Sequence, residues 1–155
     1  MDYLLGASIG GLIAFFFSLP AAVLEFVEKG NVKRLPILVE AKTIFHRRLH
    51  KEEVFLVAVL LHICLGISYG TIYVWFVLHD WLFLTHTPFT LFSFFLFSLG
   101  AFVVTGSVIF PLLGMGLFGR KEGTSVWLEM VFSFLLLGFM MWLVVQFYQP
   151  FYFIA

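Results

Sequence analysis

The sequence predicts an all-α, polytopic membrane protein: a four-helix transmembrane bundle with both termini on the outer, non-cytoplasmic side. Three observations carry this. Of the 155 residues, 62% are hydrophobic and 12% charged, whereas soluble domains hold about 45–50% apolar and about 25% charged residues. Four stretches reach the roughly 20 apolar residues that a helix needs to cross a bilayer. All nine Lys and Arg residues fall in two of the loops between those stretches, and loops rich in Lys and Arg stay on the cytoplasmic side. No segment shows the short apolar–polar alternation of a membrane β-barrel. Backbone in lipid must satisfy its own hydrogen bonds, which leaves helices. Residues 1–155 read as a single integral membrane domain.

The first span is expected over about 4–26. Asp2 is the only charge before Glu25, so the basic start of a cleaved signal peptide is missing and the segment reads as a retained span. Pro20 falls late in it. The loop that follows, about 29–53, holds Lys29, Lys33, Arg34, Lys42, Arg47, Arg48 and Lys51. Within it Leu38, Ala41, Phe45 and Leu49 recur at spacings of three and four, with Pro36 suited to a first turn. That pattern fits an amphipathic helix lying on anionic lipid headgroups, or a loop whose charges simply fix topology.

The second span is expected over about 54–78. One of its faces reads His62, Gly66, Tyr69, Gly70, Tyr73. The third stretch, about 89–118, would reach roughly 45 Å as one helix against a hydrocarbon core near 30 Å. It must tilt, protrude or break, and Pro111 is the expected kink. The fourth span is expected over about 126–148, after a short turn holding Arg120 and Lys121. Tyr3, Trp75, Trp81, Tyr148 and Tyr152 fall at the expected outer interface and Trp127 at the inner one, as an aromatic belt should. The charge bias argues against insertion in both orientations.

Composition excludes several functions. A nucleic-acid binder needs a basic surface, and here nine basic residues balance nine acidic ones. A disulfide framework is excluded because Cys64 is the only cysteine. No catalytic triad, metalloprotease motif or phosphate-binding glycine loop is present, so no catalytic residue, cofactor or metal is assigned and an enzyme is not expected. His46 and His50 stand four apart, and His79, Asp80 and His86 share an outer loop, but neither group offers a full ligand set. A haem held by two histidines is disfavoured, because His62 has no histidine partner at its depth.

Ionisable groups inside the membrane are the best pointers to function. Glu25 and Glu129 stand near the inner ends of the first and fourth spans. Each has a structural explanation: Glu25 can pair with Lys29 one turn on, and Glu129 sits in the positive field of a helix N-terminus. His62, Tyr69 and Tyr73 read either as a hydrogen-bonded packing seam or as a binding and proton-relay face with the two glutamates at its inner mouth. Gly6, Gly10, Gly66, Gly70, Gly100 and Gly106 read as contact faces where helices approach closely. The first helix's glycines are expected to meet the third or fourth helix, or another subunit.

The expected function is therefore a small non-enzymatic membrane protein, a structural or accessory subunit that joins membrane partners through glycine-rich faces. The alternative is a small-solute or proton-coupled transporter using the His/Tyr face. Expected partners are the bilayer, anionic headgroups at the basic loops, and other membrane subunits or further copies of the chain, with no nucleic acid. The expected location is a cell inner or plasma membrane.

Overall fold

The computed structural model describes residues 2–28, 43–44, 47–48, 50–81, 86–121, 123 and 125–152. Four helices dominate it: α1 (Tyr3–Glu28), α2 (Lys51–Leu78), α3 (Leu91–Val104) and α4 (Val126–Tyr152). Each, with α3 taken together with the helical turns that continue it to Leu112, is long and apolar enough to cross a membrane, over Tyr3–Val23, Glu53–Leu78, Leu91–Leu112 and Val126–Phe147. Their outward faces are apolar. Leu4, Phe92, Leu112, Phe132 and Phe147 are all more than two-thirds exposed, a surface suited to lipid. The loop expected to be an amphipathic helix lies mostly outside the described residues. Within the expected amphipathic stretch from Leu38 to Leu49 only Thr43, Ile44, Arg47 and Arg48 are described, and they are not helical: Thr43–Ile44 pairs antiparallel with Arg47–Arg48.

α1 and α2 pack antiparallel over most of their length, because glycines remove the side chains that would hold them apart. A Cβ at Gly10 would strike the Gly66 carbonyl, and one at Gly70 would strike the Gly6 carbonyl. A Cβ at Gly66 would come within 2.5 Å of both the Ala14 methyl and the Gly10 carbonyl oxygen. Close backbone contact of this kind is what holds helices together where the hydrophobic effect does not, as in lipid. The glycines of α1 thus meet α2, a different neighbour from the third or fourth helix that the sequence suggested. The reason is that α2 carries a matching pair at the same four-residue interval.

α3 and α4 form the second antiparallel pair. Thr90 starts α3, its hydroxyl accepting a hydrogen bond from the Ser93 N–H at 3.3 Å, the usual role of a hydroxyl at a helix start. Gly138 on α4 leaves room for the Ser98 hydroxyl, which a Cβ would displace, and lies beside the Tyr69 hydroxyl and the Phe94 carbonyl. An aromatic layer joins the two pairs. Tyr73 stacks on Phe94 with ring centroids 4.3 Å apart, and Tyr69 meets Phe97 edge-on at 4.9 Å.

The third stretch breaks, six residues before its expected end. α3 passes into a π turn (Thr105–Ile109) and one last turn (Phe110–Leu112). Pro111 cannot donate to the ladder and its ring crowds the preceding turn. The widened turn just before it, where the Phe110 N–H bonds to the Thr105 carbonyl, makes room. The chain then doubles back. Gly114, Gly116 and Gly119 take φ of 87°, 78° and 70°, a left-handed region that glycine enters without a Cβ penalty. Phe118 adopts φ 51° between them. The Lys121 N–H closes the return on the Met115 carbonyl at 3.2 Å, and Met115 ends fully buried.

Candidate intramembrane site around His62

The two tyrosines and the histidine of α2 do different things. The Tyr69 hydroxyl pairs with the Ser98 hydroxyl at 2.7 Å and reaches the Phe94 carbonyl at 3.3 Å. The Tyr73 hydroxyl donates to the Pro88 carbonyl. Both rings are buried. Their polar ends are therefore satisfied by α3 and the loop before it, as buried polar groups require. Each tyrosine ties one hairpin to the other.

His62 lies about two turns nearer the start of α2 than Tyr69 and has other neighbours. It borders a cavity of about 40 Å³. α2 supplies Ala58, Leu65 and Gly66 to the wall, and α4 supplies Met130, Ser133, Phe134 and Leu137. Phe110 and Met115, delivered by the break and return of the third stretch, complete it. The His62 Nε2 atom is buried and has no hydrogen-bond partner among the described residues. A single water needs about 10–15 Å³ of such space and two to four polar partners. The cavity has the volume, and His62 and Ser133 are the polar residues among those that line it. The Ser133 hydroxyl donates to the Glu129 carbonyl at 2.9 Å. The arrangement can seat one small polar species against an imidazole in otherwise apolar surroundings.

Of the two glutamates named with His62, Glu129 is not among the residues that line the cavity. The Glu25 side chain lies outside the described residues. The Glu129 carboxylate accepts a hydrogen bond from the Ser125 hydroxyl at 3.0 Å, in the first turn of α4. Among the described residues no three His, Cys, Asp or Glu side chains converge as a metal site. His79 turns its Nδ1 to the Trp75 carbonyl at 3.0 Å, Asp80 and His86 are exposed, and His46 is outside the described residues.

Two further glycines differ from each other. A Cβ at Gly106 would run into the Phe118 ring, whereas one at Gly100 would meet nothing within 4 Å. Gly100 is exposed on the outer face of α3 and makes no internal contact of the kind expected for it. Sequence reasoning missed Ser133, Met115, Met130 and Gly138. Gly138 alone left a signal, as the one small residue within Leu135–Trp142. No family model, curated protein or solved structure matches the chain.

Proposed function

We propose that this chain is a non-enzymatic integral membrane protein that acts as an accessory subunit, binding a partner helix laterally at the outer face of α3. The observation that carries the reading is Gly100. The other glycines that the sequence marks for helix contact are taken up inside the bundle, while Gly100 opens outward between exposed Leu96, Leu99, Val103 and Val104. A glycine there costs helix stability and gains nothing inside the fold; a second helix seated on it would recover that cost through close packing. The basic loops support an orientation with both termini outside and the Arg120–Lys121 turn in the cytoplasm, in a cell inner or plasma membrane.

The test is purification from native membranes in mild detergent. A partner held at fixed stoichiometry by the natural chain, and lost with Gly100→Leu although the unfolding midpoint does not fall, is the expected result. A homogeneous single species from both forms would overturn it. A second reading, proton-coupled transport, is favoured by the unpartnered His62 Nε2. It expects pH-dependent flux in liposomes that His62→Leu abolishes, and flux retained in that variant would remove it.

A further inference from the structure

A second, wider groove lies away from His62, at the end where α3 breaks and α4 begins. It encloses about 470 Å³ and is lined by Phe102, Phe118, Arg120 and Trp127. Three walls are aromatic and the fourth residue is a cation. Phe102 belongs to α3 ten residues before its last turn ends at Leu112, roughly 15 Å along the helix. Phe118 comes back from the return segment to lie against it, ring centroids 5.3 Å apart. Trp127 stands in the first turn of α4, half-exposed, at the level where tryptophan marks the edge of a bilayer.

The backbone is built to make this groove. Phe118 takes a left-handed φ that is uncommon for a bulky side chain and costs energy. The glycines on either side of it, Gly116 and Gly119, also have positive φ. The outcome is that the Phe118 ring turns inward onto Gly106 and Phe102, and Arg120, two residues on, reaches the mouth of the groove. Arg120 is exposed, and among the described residues no carboxylate pairs with it. The nearest described acid in sequence on α4, Glu129, is two positions past Trp127, about 200° around the helix, and is engaged by Ser125.

A ligand matching these features has an anionic head and an apolar tail. A soluble anion would use Arg120 and leave the aromatic walls idle; an uncharged lipid tail would leave Arg120 idle. We propose that the groove seats one anionic phospholipid, with its phosphate on the Arg120 guanidinium and an acyl chain along Phe102 and Phe118. Guanidinium suits phosphate through paired, charge-assisted hydrogen bonds. The seat rests only on the four helices lying in a bilayer, so failure of the accessory-subunit test leaves it standing.

The experiment is native mass spectrometry of the full chain after delipidation, titrated with phosphatidylglycerol or phosphatidylcholine. One phosphatidylglycerol adduct should form in preference to phosphatidylcholine by about fivefold, the size expected of one basic residue at an anionic lipid surface. Arg120→Gln should erase that preference, and Trp127→Gln should weaken adducts of both lipids, with unfolding midpoints in neutral detergent unchanged. Inorganic phosphate at matching concentration should not displace the lipid. The proposal fails if Arg120→Gln keeps the preference, which would assign it to the 29–53 loop. It fails equally if phosphate competes, or if the two lipids bind alike.

Discussion

Among the described residues, His62 Nε2 is the buried side-chain polar atom that has no hydrogen-bond partner. A buried nitrogen without a partner costs roughly 1–3 kcal/mol, and leucine at the same position needs no partner. His62→Leu is therefore expected to stabilise the chain in neutral detergent by about 1 kcal/mol, read as a higher midpoint of thermal or SDS unfolding. A lower midpoint would mean that Nε2 is bonded in the folded protein, by water or a ligand in the 40 Å³ cavity. Tyr69 and Tyr73 share the same helical face, yet their hydroxyls end on Ser98, Phe94 and Pro88. The sequence marked His62 because an imidazole deep in an apolar run stands out. It could not mark Ser133 or Met115 beside it. A serine or methionine in a membrane helix is unremarkable until the register of α4 and the return of the chain after Leu112 bring it to the cavity.

The glycines separate into two kinds once the helices are in place. At Gly10 a methyl group would collide with the Gly66 carbonyl; at Gly100 it would meet open space. Gly10→Ala should therefore destabilise the α1–α2 pair by about 1–3 kcal/mol, the range for forcing atoms into a packed contact. Gly100→Ala should stabilise by about 0.5–1 kcal/mol, because alanine is the better helix residue. SDS unfolding of both variants checks the signs, and equal effects at the two positions would contradict the packing described. The four helices were legible from hydropathy alone, since runs of twenty apolar residues have few other solutions. Which helix meets which was not legible. α1, α2, α3 and α4 all carry small residues, and only the matched spacing of Gly6 and Gly10 with Gly70 and Gly66 selects the pair. The third apolar stretch runs on to about 118, whereas its helical part ends at Leu112, because hydropathy does not register backbone dihedrals. Gly114, Gly116 and Gly119 punctuate the segment while Leu113, Met115, Leu117 and Phe118 keep it apolar.

Zero net charge hides a polarised molecule. Residues 28–53 and 120–122 hold all nine basic residues against five acids, Glu28, Glu40, Glu52, Glu53 and Glu122. Asp2 and Asp80 are the only charges at the opposite end, and Glu25 and Glu129 lie within helices. If the basic end faces the cytoplasm, His86→Cys in a Cys64→Ser background should react with a membrane-impermeant maleimide on intact cells. Lys121→Cys should react only after permeabilisation; both residues are exposed. Reversed labelling would invert the orientation. The π turn at Thr105–Ile109 governs this end of the molecule as a matter of phase. One additional residue in a turn rotates everything beyond it by about 100° relative to an unbroken α-helix. Deleting any one of those five residues would restore an ordinary ladder and at the same time swing Phe110 out of the His62 cavity wall. Met115, Phe118 and Arg120 would be carried round with it. The length of that short segment thus times two separate sites at once, so neither can be re-aimed without the other.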